Sequence, residues 1–379
     1  MNPALSEIDT PTLVLDLDAM ERNLARMAGF AHRHGLRWRP HAKMHKCSEI
    51  AQLQLRAGGV GVCVQKTAEA EVMAAGGVDD ILITNQVVAA PKLDRVACLA
   101  AALQRRGGRL GLTVDSVVGF EALASALERH QAAPEGEWLD VYVEVDVGGQ
   151  RCGLAPAQAP ALAQRIVRHP QMRWAGLQAY HGKAQHLRTV AQRHDAIQLA
   201  AQAVQQATQG LRTCGLEVPQ VTGAGTGSMV HEAGSGAWTE LQAGSFLFMD
   251  ADYARNEQHP EQPAFEHALF VCAQVTGVYD AYAVCDAGHK SHAVDSGLPT
   301  VLRLRGEPGF EFHNGGDEHG ILRPRPGQAL PAIGDQLWLI PGHCDPTCNL
   351  HDRMAGVRGG LAAGHVERWL RIDARGALS

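Results

Sequence analysis

The chain has 379 residues, 45% hydrophobic and 20% charged, with a formal net charge of −6. That is too long for one small core and fits one large barrel plus a smaller domain, in a composition typical of soluble globular enzymes. No basic run exceeds a few residues, which excludes a nucleic-acid or anionic-membrane footprint.

The N-terminal residues lack the basic start and apolar core of a signal peptide, and no uncharged apolar stretch can span a bilayer. Residues 9–17 read as a strand. Asp18 then caps a helix with apolar positions at Met20, Leu24, Met27 and Ala28. From there, apolar or β-branched runs recur at 36–43, 59–65, 80–85, 109–115, 140–146, 174–180, 220–225 and 240–246. Alanine-rich amphipathic stretches at 47–57, 67–75, 91–105, 119–131, 157–168 and 187–211 separate most of them. Eight strands alternating with helices predict an α/β fold, a (β/α)8 TIM barrel. A doubly wound sheet is the alternative, but no G-x-G-x-x-G opens the first βα unit. Glycines 234 and 236 make the last connection irregular. Residues 256–263 form a polar, proline-containing linker. The β-like runs beyond it, at 268–278, 282–286, 300–304 and 336–340, predict a mostly β C-terminal domain. The nine cysteines are odd in number and scattered, which predicts reduced thiols in the cytoplasm rather than a disulfide framework.

In such a barrel the active site lies at the C-terminal ends of the strands. Those ends are polar: Lys43, Gln65, Asn85, Asp115, the loop 146–153 with Arg151, Tyr180-His181-Gly182 with His186 just beyond, and 222–228. Lys43 is either a surface charge or a partly buried amine of lowered pKa, able to bind an aldehyde covalently. Strand register puts Lys43 at the tip and Lys46 in the following turn. The stretch Thr222-Gly223-Ala224-Gly225-Thr226-Gly227-Ser228 is either an ordinary loop or an anion nest for a phosphate. A lysine and a phosphate cradle facing each other across a barrel suggest pyridoxal 5′-phosphate. Tyr180 or His181 would pack on its ring. Arg151 is a candidate for the ring nitrogen, or else a surface salt bridge.

A second cluster spans 341–352. His343 and Asp345 share a face if the backbone is extended, with Cys344 pointing away, and both are metal-ligand types. A structural zinc site of Cys344 and Cys348 with His343 or His351 is an alternative, and a solvated loop is another.

These motifs together resemble the D-threonine aldolases and the related D-serine and D-3-hydroxyaspartate dehydratases, in the alanine-racemase-like (fold type III) class of pyridoxal-phosphate enzymes. The resemblance is carried by Asp9-Thr10-Pro11, Arg39-Pro40-His41-Ala42-Lys43, Arg151-Cys152-Gly153, Tyr180-His181-Gly182, the 222–228 stretch and the 341–352 stretch. It implies a barrel over 20–255 and a β domain formed by 1–19 plus 256–379. It also implies Lys43 as the cofactor lysine, Gln65, Arg151, Tyr180, Thr222, Gly223, Gly225 and Thr226 around the cofactor, and His186 as the base. His343 and Asp345 would hold a divalent metal, manganese first and magnesium, cobalt or zinc as alternatives. His41 and His45 are left as supporting or surface groups. Ala224 departs from a third glycine that is usual in the loop.

The dehydratases of this family carry a His-x-Cys pair and the aldolases His-x-Asp, so Asp345 points to the aldolase, although Cys344 lies one residue from the other pattern. The expected activity is metal-dependent cleavage of D-threonine and other D-3-hydroxy-α-amino acids to glycine and an aldehyde, by a homodimer with no nucleic-acid or membrane partner. The alternatives are a dehydratase releasing ammonia and a 2-oxo acid, and a non-catalytic pyridoxal-phosphate carrier.

Overall fold

The alternation of buried runs and amphipathic stretches becomes a parallel sheet wrapped by helices. In the computed structural model, residues 4–130, 136, 138–302 and 309–379 are described. Residue 131 of the predicted amphipathic stretch 119–131 and residues 303–304 of the predicted run 300–304 lie outside these. The elements of the first part are β1 (Thr12–Asp16), α1 (Leu17–Arg33), β2 (Arg37–Trp38), α2 (Ser48–Arg56), β3 (Val62–Val64), α3 (Thr67–Ala75), β4 (Asp80–Gln86), α4 (Ala90–Arg105) and β5 (Arg109–Val114). They continue with α5 (Val117–Arg129), β6 (Leu139–Glu144), α6 (Ala159–Val167), β7 (Met172–Ala179), α7 (Val190–Thr213), β8 (Val221–Gly223), α8 (Met229–Ser235) and β9 (Glu240–Leu241).

Strands β2 to β9 make one eight-stranded sheet in the order β2-β9-β8-β7-β6-β5-β4-β3. Its two ends meet just beyond β2. Cys63 N donates to Pro40 O at 2.8 Å, and Ala42 N donates to Cys63 O at 2.8 Å. The predicted strand 36–43 is therefore only two residues long, followed by a single bridge at His41. Pro40 has no N–H for a ladder, and the chain turns immediately afterwards. Lys43 consequently sits in that turn rather than on a strand tip. Lys46 lies further along with φ of 51° and is ion-paired to Glu69.

The helices pack as their periodicity requires; α1, for example, buries Met20, Leu24, Met27 and Phe30. Its N-cap is Asp16, whose carboxylate accepts from Ala19 N at 3.0 Å, and not Asp18. Asp18 is drawn to Arg358 at 2.7 Å and to Gly359 N at 2.8 Å instead. The irregular last connection contains only the seven-residue α8, ended by Gly236 at φ 70°.

The second part contains β10 (Leu269–Val278), β11 (Ala283–Cys285), β12 (Thr300–Leu302), β13 (Glu311–Asn314), β14 (Gly320–Arg323), β15 (Gln336–Ile340), α9 (Cys344–Cys348), β16 (Arg353–Arg358), α10 (Gly360–Ala363) and β17 (His365–Arg371). Its sheet runs β13-β14-β11-β10-β1-β16-β17, with β15 paired to β10 and β12. The N-terminal β1 thus lies between β10, antiparallel, and β16, parallel. All nine cysteines are free thiols. Among the described residues no helix is long and apolar enough to cross a membrane.

Candidate active site

A cavity of about 480 Å³ opens where the C-terminal ends of the barrel strands meet the turn before α9. That size suits a small organic ligand. Lys43, Gln65, Arg151, Tyr180, Gly225 and Thr226 line it, and so do His186, His343 and Asp345. Thr222 and Gly223 do not. Thr222 Oγ1 is bonded inside the barrel, donating to Glu240 Oε1 and accepting from Gln242 Nε2, both at 2.8 Å. A Cβ on Gly223 would meet Ala179 O at 2.0 Å. These two residues shape the strand beneath the loop rather than face the cavity.

Lys43 projects its amine toward Asp345, Nζ to Oδ2 3.6 Å. Burial, the largest influence, lowers the lysine pKa, but the Asp345 carboxylate together with Tyr180 and Glu69 outweighs it and the net shift is upward. The lowered amine pKa offered by the sequence is therefore not found with Asp345 in place. His41 lies beneath, its Nε2 3.1 Å from Thr84 Oγ1 and 3.2 Å from Gln65 Nε2. Burial, reinforced by the Lys43 charge, holds it well below the ordinary histidine range, so it is neutral. His45 is also buried, 3.1 Å from Gln54 Oε1. Neither histidine is a surface group.

Arg151 is carried by the loop after β6. Asp146 Oδ1 gathers that loop by accepting from Gly148 N at 2.9 Å and Gln150 N at 3.1 Å. The Arg151 guanidinium lies over the Tyr180 ring, 5.5 Å from its centroid, and makes no ion pair among the described residues. The surface salt bridge considered for it is absent there.

The glycine loop leaves β8 through Ala224, whose φ of 68° is left-handed for a residue with a side chain. Among the described residues the backbone N–H groups of Ala224, Gly225 and Thr226 donate to no protein acceptor. Gly225 packs so closely on Gln185 that a Cβ would lie 2.4 Å from its Oε1. Consecutive free amides in a tight turn at a strand end are an anion nest, which fits the phosphate of a pyridoxal cofactor. Lys43 fits its aldehyde.

His186 closes the short 3₁₀ turn Gly182–His186. Its Nδ1 is 2.6 Å from Asp252 Oδ2. Asp252 Oδ1 also accepts from Arg188 at 2.5 Å and Arg255 at 2.8 Å. Burial would raise the Asp252 carboxyl, but Arg188 and His186 outweigh it and hold it below the usual carboxylate range. An ionised Asp252 accepts from Nδ1–H and so keeps the imidazole proton on Nδ1, leaving Nε2 as an acceptor.

His343 and Asp345 converge, Nε2 to Oδ1 3.8 Å, but not on an extended strand. His343 is extended at φ −149° and caps α9, while Asp345 lies in the first turn of that helix. Cys344 does point away, its Sγ 3.2 Å from Met249 O in the buried core. His343 Nδ1 is fixed by Asp295 Oδ2 at 2.6 Å, and Asp345 Oδ1 is buried with no partner in the protein. A carboxylate behind the histidine and an orphaned carboxylate oxygen before it fit a divalent cation. No third histidine, cysteine, aspartate or glutamate completes the set among the described residues, so water or substrate would fill the other positions. The zinc alternative built on Cys344 and Cys348 is likewise not assembled there.

Residues 15–252 match the pattern of the alanine racemase N-terminal domain, and residues 268–357 match a putative serine dehydratase domain. The chain belongs to the alanine racemase N-terminal domain family. Among curated members this racemase-like chain is 43% identical to a D-threonine aldolase of Arthrobacter sp., over 98% of this chain and 94% of that one. It is 40% identical to a 3-hydroxy-D-aspartate aldolase of Paracoccus denitrificans (98% and 93%) and 32% identical to a D-threo-3-hydroxyaspartate dehydratase of Delftia sp. (98% and 99%). The crystal structure of D-threonine aldolase from Filomicrobium marinum superposes with a TM-score of 0.92 at 41% identity, covering 100% of this chain and 99% of that one.

Several residues of this racemase-like site escaped the sequence. Asp252 and Asp295 are ordinary aspartates until the fold sets them behind His186 and His343. Gln185 is buried between the turn and the glycine loop, with its Oε1 3.0 Å from Gly227 N. Glu144 also lines the cavity, bonded to Gln86, and burial pushes its carboxyl up to about 7. Its signal was present: an acidic residue ending an apolar strand.

Proposed function

We propose that the protein is a lyase, an aldolase dependent on pyridoxal 5′-phosphate and a divalent metal, that cleaves D-threonine and other D-3-hydroxy-α-amino acids to glycine and an aldehyde. The observation that carries this reading is the convergence, in one cavity, of Lys43, the His186–Asp252 pair and the His343–Asp345 pair. The two aldolase relatives at 40–43% identity support it, and the dehydratase relative is more distant.

In this reading Lys43 holds the cofactor covalently. Tyr180 and Gln65 would hold its ring, Arg151 would hold the ring nitrogen, and the amides of Ala224, Gly225 and Thr226 would hold the phosphate. When bound, the cofactor supplies an electron sink at the substrate Cα and the metal lowers the pKa of the β-hydroxyl. His343 and Asp345 hold that metal, for which manganese is the first choice. His186 Nε2 takes the hydroxyl proton, and Asp252 stabilises the imidazolium that results. Loss of that proton drives cleavage between Cα and Cβ. We further propose a homodimer in the cytoplasm, where nine free thiols would stay reduced, and a division into a barrel over 20–255 and a β domain of 1–19 plus 256–379.

The test is product analysis with cofactor and manganese on D-threonine, D-serine and D-3-hydroxyaspartate, with L-threonine as control. Glycine and acetaldehyde from D-threonine are expected. Ammonia and a 2-oxo acid without aldehyde would replace this reading with the dehydratase. No turnover with tight cofactor binding would leave a carrier.

A further inference from the structure

Glu232 is a carboxyl that the reaction outlined above does not use. It lies on α8 with 1% of its surface exposed. A directed chain of hydrogen bonds joins it to the glycine loop. Gly227 N donates to Gln185 Oε1 at 3.0 Å, Gln185 Nε2 donates to Ser228 Oγ at 2.6 Å, and Ser228 Oγ donates to Glu232 Oε1 at 2.7 Å. Glu232 Oε2 has no partner in the protein.

The charged and titratable groups on the elements packed around it do not neutralise it. Arg193 on α7 donates to the carbonyls of Leu187, Arg188 and Glu257. His194 on α7 and His259 of the 256–263 linker each pack edge to face on His231 of α8, and burial holds His231 down at about 4. Just past β7, Tyr180 senses the Glu232 charge as a repulsion that raises its own pKa further, on top of burial and against Lys43. Burial pushes Glu232 up to about 7, although the Ser228 hydroxyl and its own backbone pull the other way.

We propose that Glu232 is a positioning residue of the anion loop that works in its protonated form, so that filling the loop with a phosphate dianion draws one proton from solvent onto this carboxyl. This rests on the reading of the loop as the phosphate site. An ionised carboxylate one hydroxyl removed from the loop would repel the dianion. A neutral acid removes that charge while Oε1 goes on accepting from Ser228, so the loop keeps its shape. Only an O–H bond is made, and the proton is the only species transferred. The sign follows from linkage. The ligand selects the protonated form, so affinity is fullest below neutrality and falls as pH rises through 7. At pH 8 about one tenth of the empty protein is protonated there, which weakens binding about tenfold.

The experiment is a calorimetric titration with pyridoxal phosphate at pH 7.5 in two buffers of different ionisation enthalpy, with dissociation constants at pH 6 and pH 8. It compares the wild type with Glu232→Gln, whose amide oxygen can still accept from Ser228. Protons taken up by the cofactor or by Lys43 are common to both proteins and cancel. The wild type should take up about three quarters of a proton more than the variant. The variant should bind as tightly as the wild type at pH 6 and about tenfold more tightly at pH 8. Equal proton uptake, or parallel pH dependence of the two dissociation constants, overturns the proposal. Glu232→Met, which also lacks the proton, serves in the same comparison if the amide variant does not fold. Failure of the wild type to bind pyridoxal phosphate at any pH would overturn the reading of the loop itself.

Discussion

Replacing Asp252 with asparagine reverses one proton without moving a heavy atom far. The Asp252 side chain now accepts three hydrogen bonds: His186 Nδ1 at 2.6 Å on Oδ2, and Arg188 and Arg255 at 2.5 and 2.8 Å on Oδ1. In Asp252→Asn the amide oxygen must stay with the two guanidinium groups, since an NH₂ aimed at them would set donors against donors. The NH₂ is then turned to His186, whose Nδ1 has to accept. The imidazole proton moves to Nε2, where the acceptor for the substrate hydroxyl is needed. A positioned general base is worth about 10²–10⁴ in rate. We expect kcat on D-threonine to fall about 10²–10³-fold, roughly 3–4 kcal/mol of barrier, with KM changed less than about threefold. The assay is aldehyde release followed by a coupled dehydrogenase, with cofactor absorbance as the control for loading. Combining the change with His186→Ala should cost no more than His186→Ala alone, because the two residues act as a unit. A kcat for Asp252→Asn within about threefold of wild type would refute both the role of His186 and this account of its tautomer.

Three further outcomes are expected. Lys43→Ala should abolish the absorbance near 420 nm (roughly, for a covalently held cofactor of this kind) that the wild type shows on loading; persistence of that band would remove Lys43 as the attachment point. Chelation should abolish activity and manganese restore it, and Asp295→Asn should raise the metal concentration for half-restoration about 10–100-fold by loosening His343; indifference to the chelator would rule out the His343–Asp345 pair as ligands. Glu144, pushed up to about 7 by burial, should penalise the folded state increasingly as pH rises from about 4.5 to 7. Glu144→Gln should therefore stabilise the apoprotein by about 3 kcal/mol at pH 8 and leave it unchanged at pH 4, in urea melts; equal effects at both pH values would contradict that burial.

The barrel was legible because most of its strands are buried on both faces and so read as continuous apolar runs, as in Ile81-Leu82-Ile83. The second sheet was only half legible for the converse reason. Strand β17 has the burial pattern of a strand with one face in water, and its sequence, His365-Val366-Glu367-Arg368-Trp369-Leu370-Arg371, offers too few apolar positions to stand out. Strand β2 was overextended because periodicity cannot see that Pro40 ends the ladder. That Lys43, Arg151, His186, His343 and Asp345 would line one cavity was legible because each stands at a strand end or a turn that the pattern locates. Their partners Asp252, Asp295 and Gln185 were not, because a hydrogen bond between residues 66 positions apart, such as His186 to Asp252, leaves no trace in local spacing.

The least conspicuous segment in the sequence turns out to join the two halves of the site. Residues 249–253 lie between the predicted run 240–246 and the linker 256–263. Met249 O accepts from Cys344 Sγ and Asp250 Oδ2 from Cys344 N, while Ala251 N donates to Pro341 O at 2.9 Å. These bonds seat the His343–Asp345 turn on the end of the barrel. Asp252 orients His186, and Tyr253 lines the same cavity. His186, the His343–Asp345 pair and the cavity wall are therefore referenced to one stretch of five residues, and Met249 holds a left-handed φ of 50° there. A side chain in that region costs on the order of 1 kcal/mol or more and persists only where its surroundings over-determine it. Here they do: relaxing Met249 would move its carbonyl from Cys344 and carry Asp250 and Asp252 with it. The geometry that brings the Asp345 carboxylate to Lys43 is thus fixed by the backbone of the connection, and the two side chains alone, placed on a differently joined domain, would not meet.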